Sequence, residues 1–437
     1  MATRPPSTVR PCGRACMGPS KCSTPWPTSG TPLRPVRVRW RRGSKDAPSA
    51  HRCPSRRPWC LEPKRARGSV RPPGRREVMA PVRIGIVGCG AIAQIQHLPN
   101  LAELREEFEV AAVCDCSPAL ARAVAGEFGI PVHLSDYRDL LASDLDAVLL
   151  CHSDPKTEIA VASLQAGFHT FIEKPLCWTL ADADAIVDAA RSFGGTCQVG
   201  YMKVYDPAFE LAQREVRAMA ETIRFIQVNH LHTDNSHHLA HFRLQRFDDI
   251  PASVRADQRD ARHAAVAEAL GDVSDDAAAA FFHLAGSMIH DLYGLRALFG
   301  QPQRVVSTEI WNGGLGITAV LEYGSGARCA ATWVELRNIR QFAETLEVYG
   351  DNRGVVLSYP TGFSRGILST LTVKGVDENG RAFTTHPEIE WENPFRRELT
   401  HFHRCITGDG RCRTPVVDAR QDVALIIDIV QRYLAAG

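Results

Sequence analysis

From residue 82 onward, short apolar runs rich in β-branched residues alternate with longer stretches whose apolar positions recur at helical spacing. Residues 82–87, 108–114, 146–151 and 169–172 read as strands, and 91–104, 118–128, 157–166 and 180–193 as helices. Strands separated by helices of this length need crossover connections, which predicts a parallel, doubly wound α/β sheet. The pattern changes past residue 220. Residues 222–232 read as a strand, a long Ala-rich, charged stretch runs from about 244 to 280, and a helix follows at 281–299. Six more strands come in succession at 304–311, 316–323, 327–335, 344–349, 354–358 and 369–373, several divided by turns such as Gly324-Ser325-Gly326. That order predicts an α+β domain with a large, mostly antiparallel sheet, closed by helices at 398–407 and 418–435. No internal repeat interrupts it.

Charge divides the chain differently. Residues 1–80 carry 19 Lys and Arg against 3 Asp and Glu, leaving 32 against 46 for the remainder, and hold 14 of the 27 prolines. With few aliphatic residues this arm cannot bury enough apolar surface to offset chain entropy, and it is expected to be disordered. A basic nucleic-acid tail and a targeting peptide are the functional alternatives. No apolar segment follows the Arg pairs, and no amphipathic transit helix is written there. The reading carried forward is that translation begins at Met79. The remaining body, 81–215 and 216–437, is expected to bind neither nucleic acid nor membrane and to be cytoplasmic. Its nine cysteines form no CxxC pair, and Cys114 and Cys151 fall inside apolar strands, where a thiol packs as a small hydrophobe.

Candidate chemistry starts at Gly88-Cys89-Gly90-Ala91-Ile92-Ala93, a GxGxxA between a strand and a helix. The first glycine allows the tight turn, the second lets backbone approach a pyrophosphate, and Ala93 lets the helix lie close to the strand. N–H groups at the helix start favour phosphate. Asp115 ends the next strand, where an acid accepts from adenosine ribose hydroxyls and repels a 2′-phosphate, so NAD(H) is favoured over NADP(H). Arg122 in the following helix softens that preference. Lys174 sits at the C-terminal end of a parallel strand, at the crevice where such sheets bind ligands. Its ammonium is suited to holding a reacting oxygen or exchanging a proton with it, although a solvated strand-end lysine is the plain alternative.

Taken together, the GxGxxA, the acid at Asp115 and the block Ala166-Gly167-Phe168-His169-Thr170-Phe171-Ile172-Glu173-Lys174-Pro175 resemble the Gfo/Idh/MocA family of oxidoreductases. Gly200-Tyr201-Met202 with Asp206-Pro207, and Leu346-Glu347-Val348-Tyr349-Gly350, fit the same pattern over roughly residues 82–437. The resemblance implies a Rossmann domain followed by a substrate and oligomerisation domain, a metal-free enzyme and a homo-oligomer, dimer or tetramer. Gly88, Gly90, Ala91, Ile92, Asp115, Cys151, Ser153, Glu173 and Lys174 are expected at the cofactor, and Tyr201, Asp291 and His232 at the substrate. The resemblance also implies a catalytic His at His290 with an Asp four residues earlier. Here that earlier position is Gly286, and Asp291, about 100° round the helix, does not simply replace it. After the fourth strand, Lys156 stands where the family shows a His near the nicotinamide.

Five histidines between His230 and His241 offer metal-compatible spacings, but no Cys or Glu joins them in a recognised pattern. A polar loop over a sugar-like ligand is the expected role. The function expected is hydride transfer between nicotinamide and a secondary alcohol or ketone of a sugar, cyclitol or polyol, with Lys174 or His290 handling the proton. An NAD-dependent glycosidase of the same family and a non-catalytic NAD-binding regulator remain as rivals.

Overall fold

Six strands, β1 (Val82–Val87), β2 (Phe108–Cys114), β3 (Val132–Leu134), β4 (Ala147–Leu150), β5 (His169–Glu173) and β6 (Cys197–Gly200), pair in parallel in the order β3-β2-β1-β4-β5-β6. The computed structural model describes residues 80–436 apart from Asp154, so the expectations for the basic arm lie outside the described residues. Ile84 and Ile86 of β1 and all of β4 are fully buried. Strands covered by helices on both faces read as unbroken apolar runs, which is why these were legible. Two of their helices, Pro118–Phe128 and Leu180–Phe193, carry matching end signals. Pro118–Phe128 starts on Ser117, whose hydroxyl accepts from Leu120 N, and stops at Gly129 with φ 69°. Chain order reverses between β1 and β4, which opens a crevice above their C-terminal ends.

The second sheet has eight strands: β7 (Ile223–His232), β8 (Arg304–Trp311), β9 (Gly316–Glu322), β10 (Arg328–Glu335), β11 (Ala343–Gly350), β12 (Arg353–Tyr359), β13 (Thr370–Val376) and β14 (Ala382–Thr385). Their order is β14-β13-β12-β11-β7-β10-β9-β8, antiparallel except for the central β7–β10 pair. Alternation along each strand buries Ile226, Val228, Ala331, Trp333 and Val348 on one face, while Gln227, Asn229, Thr332 and Glu347 occupy the other.

The structure departs from the predicted elements where the pattern was short or interrupted. β3 and β14 are brief and largely exposed, and β6 buries Gln198 within an otherwise apolar run. The helix Pro207–Ala218 was missed although Asp206 caps it and proline opens it. The Ala-rich stretch forms two helices, Ala252–Leu270 and Asp275–His283, parted at Gly271. The expected helix at 281–299 therefore starts earlier, on the Ser274 cap, and passes through a π turn at Leu284–Met288 before continuing as Ile289–Phe299.

The closing helices return to the first sheet. Pro394–Ile406 buries Leu399 and Phe402 in one cluster with Ile84, Ile86 and Phe171, and the Phe402 ring meets Phe171 edge-on at 5.5 Å. The expected division at 216 therefore does not separate two cores. Val416–Leu434 packs beside Leu180–Phe193 and is tied to Ile289–Phe299 by Arg296, 2.7 Å from both Asp418 and Asp422. Among the described residues no helix is long and apolar enough to cross a membrane.

Candidate active site

At the β1 turn Gly88 adopts φ 94°, and a Cβ there would lie 2.3 Å from the His152 backbone nitrogen. Only glycine lets the β1 and β4 ends approach so closely. Gly90 is exposed, and a Cβ on it would meet nothing within 4 Å, so its backbone faces open space. Ala91 and Ile92 begin the helix, with Ala93 fully buried beneath. Asp115 joins this turn to β2: its carboxylate accepts from Cys89 N at 2.8 Å and from Ser117 N at 2.9 Å. Cys151, Ile92, Glu173 and Lys174 line a cavity of about 410 Å³ at the ends of β4 and β5, with Ser153 at its rim. An open glycine, a helix start and an acid at the β2 end are the features a dinucleotide needs, and the residues present fit it. Lys156 is a buried strut here, its ammonium donating to the Pro175 carbonyl at 2.9 Å.

β5 ends on Glu173, which is buried and lies 2.6 Å from His97 Nε2. Burial opposes ionisation of Glu173, but the His97 contact and the nearby Lys174 and Lys156 cations bring its carboxyl below the usual range. Lys174 Nζ reaches across to the second domain and donates to the Gly286 carbonyl at 2.8 Å. Ile92, Glu173, Lys174, Phe282, Gly286 and Phe363 form a wall shared with a second cavity of about 380 Å³. That cavity is lined by His230, His232, His283, His290, Ser287, Trp333, Phe342, Lys203 and Glu344.

Two imidazoles here are oriented in opposite senses. His290 Nδ1 is 2.9 Å from the Tyr293 hydroxyl, and that hydroxyl accepts the Lys203 backbone N–H at 3.1 Å. Where the Tyr293 hydroxyl donates to His290 Nδ1 rather than to Met202 Sδ at 4.0 Å, the single imidazole proton sits on Nε2. Burial, with Lys174 and Lys203 adding to it, holds His290 well below its ordinary pKa, so it is neutral. No acid stands one turn before His290, where Gly286 lies; its ring contact is Tyr293, one turn later. Asp291 serves a different histidine. It is buried, and its Oδ2 lies 2.7 Å from His230 Nδ1. His230 Nε2 is 3.3 Å from Ser287 Oγ, which accepts from Trp333 Nε1 at 2.9 Å. Asp291 therefore reaches the cavity through His230 rather than lining it. His230 itself is depressed by burial, with Asp291 opposing.

Of the other expected substrate residues, His232 lines the cavity, its pKa lowered to about 4 by burial and the neighbouring histidines. Tyr201 does not: it is 2% exposed and stacks on Tyr293 at 4.0 Å, so it packs the wall from behind. His230, Asp291 and Glu344 bring donor atoms within 4.8 Å of one another, but the Lys203 ammonium already sits against Glu344. Burial pushes Lys203 down to about 8. Sequence reasoning missed Lys203, Ser287, Trp333 and Glu344. Lys203 follows directly on Gly200-Tyr201-Met202, which was the available signal, whereas Trp333 and Glu344 come beside His230 only through strand pairing.

Residues 82–201 match the model of the Gfo/Idh/MocA oxidoreductase family, NAD-binding Rossmann fold. Inositol 2-dehydrogenase from Salmonella typhimurium is 35% identical over 132 residues, covering 29% of this chain and 39% of that protein. Inositol 2-dehydrogenase/D-chiro-inositol 3-dehydrogenase from Shouchella clausii is 37% identical over 132 residues, 29% of this chain and 38% of that one. The match thus spans about two fifths of the length of these relatives. A 3-ketoreductase mutant from Actinomadura kijaniata, solved with TDP-benzene and NADP, superposes with TM-score 0.61 at 16% identity over 81% of this chain and 98% of that one. UDP-N-acetylglucosamine 3-dehydrogenase from Acidithiobacillus ferrooxidans gives 0.58 at 20% identity over 82% and 99%. At such identities the shared feature is the fold.

Proposed function

We propose, from the premise that residues 82–201 make this chain a member of the Gfo/Idh/MocA oxidoreductases, that it is an NAD(H)-dependent dehydrogenase or reductase of a sugar, cyclitol or related polyol. The observation that carries this reading is the position of Lys174. It stands in the wall common to the two cavities and reaches from the β5 end to Gly286. A bound nicotinamide would exchange hydride with the substrate carbon. Gly88, Gly90, Ile92, Asp115, Cys151 and Ser153 would hold the cofactor, and Asp115 supports NAD(H) over NADP(H).

Lys174 Nζ and the His290 Nε2–H supply donors for the reacting oxygen. His230, with its Nδ1–H fixed on Asp291, turns a lone pair toward Ser287 and is the group suited to receive a proton. Asp291 then stabilises the imidazolium, which provides by another route the acid missing at Gly286. Aromatic walls from Trp333, Phe342 and Phe282 suit the C–H face of a ring, while His, Lys and Glu side chains suit its hydroxyls. The reading includes a cytoplasmic homo-oligomer; Phe225, Trp311 and Val376 are exposed on the second sheet, where another copy would sit.

A panel of cyclitols and sugars incubated with NAD⁺ tests this. NADH accumulating in proportion to a ketone product is expected. Sugar release with no net change in NADH would favour the glycosidase rival, and no turnover with tight NADH binding would favour a regulator.

A further inference from the structure

Between β7 and the helix at Ala252–Leu270, a segment of the second domain crosses the outside of the first. Its anchors are specific. Gln245 and Gln94 exchange hydrogen bonds, Gln245 N to Gln94 Oε1 at 2.8 Å and Gln94 Nε2 to Gln245 O at 3.1 Å. Gln94 Nε2 also donates to the Cys89 carbonyl in the glycine turn at 2.7 Å. Four residues on, Asp249 reaches the turn after β2. The Ser117 hydroxyl donates to Asp249 Oδ1, and Ala119 N donates to Oδ2 at 2.9 Å.

These donors lie at the start of the 11-residue helix Pro118–Phe128, immediately beyond the acid that ends β2. In this fold the adenosine ribose is held at that acid, so a phosphate on the ribose 2′ oxygen projects toward the residues that follow it. A helix start with its N–H groups and a serine hydroxyl is an anion site, and here a carboxylate of the same chain already fills it. We infer that Asp249, carried in from the second domain, is a specificity-determining residue that excludes NADP(H) by occupying the 2′-phosphate position with a negative charge. Asp115 discriminates at the ribose hydroxyls; Asp249 removes the donors that would otherwise receive the phosphate and repels it as well. The hydrogen bonds from Ser117 and Ala119 hold the Asp249 carboxyl below its ordinary pKa, consistent with a standing charge at neutral pH.

The inference rests on the dinucleotide reading above, and its test separates the two. NADH and NADPH are titrated into full-length wild type, Asp249→Ala and Asp249→Asn by fluorescence, with no substrate present. Wild type should prefer NADH. Asp249→Ala should tighten NADPH by at least about tenfold while NADH changes by less than about threefold, and Asp249→Asn should show the same direction. Unchanged NADPH affinity in both variants, or equal tightening for both nucleotides, would overturn the role assigned to Asp249 and leave the dinucleotide site standing. Wild type binding neither nucleotide would overturn the site and the inference together.

Discussion

At Gly286 a backbone carbonyl, not a carboxylate, meets Lys174, and the consequence is that a proton acceptor must come from elsewhere in the cavity wall. The Asp291–His230 pair meets that need because the carboxylate is buried, accepts at 2.7 Å and fixes the imidazole tautomer. Asp291→Asn keeps the shape and removes the charge. It should lower kcat by about 10²-fold or more with NADH affinity unchanged, since neither residue touches the glycine turn. The acid limb of the kcat profile should also move to lower pH, because a histidine without its counter-charge protonates less readily. An unchanged kcat and profile in a variant that folds normally would remove His230 from the chemistry. Single residues were legible in proportion to how local their role is. Gly88, Asp115 and Lys174 announce themselves by position after a strand. His230 and Asp291 are 61 residues apart and meet only because β7 faces the helix beyond the π turn, a relation that periodicity does not carry.

Among elements, β1, β2, β4 and β5 of the parallel sheet were legible as apolar runs, and Pro118–Phe128 and Leu180–Phe193 as helices with a side-chain cap at the start and a glycine at the end. The antiparallel strands were legible from alternation. What escaped was interruption: a π turn leaves the apolar stripe of Phe281, Ala285, Met288, Leu292 and Leu295 intact while changing what the other face presents. Destination escaped as well. The helix Pro394–Ile406 follows the second sheet in sequence but buries its apolar face under β1, β2 and β5. Phe402 is fully buried there between Phe108 and Phe171. Phe402→Ala should therefore destabilise the first domain and the whole chain together, by about 3–5 kcal/mol. Chemical denaturation followed by Trp fluorescence and by NADH binding should show one coincident, shifted transition. Two separate transitions would show that this helix does not tie the two sheets into one folding unit.

Across the molecule, the arrangement places a dinucleotide cradle on one sheet and an aromatic, histidine-rich cavity against the other, with Lys174 spanning the wall between them. Chemistry at that junction separates an enzyme from an NAD-binding regulator built on the same fold. The deciding variant is Lys174→Ala, with kcat measured on a substrate found in the panel and NADH titrated into the same preparation. A fall in kcat in the upper part of about 10²–10⁴-fold, with NADH affinity within about threefold of wild type, is the predicted result. Near-normal turnover in Lys174→Ala would contradict it.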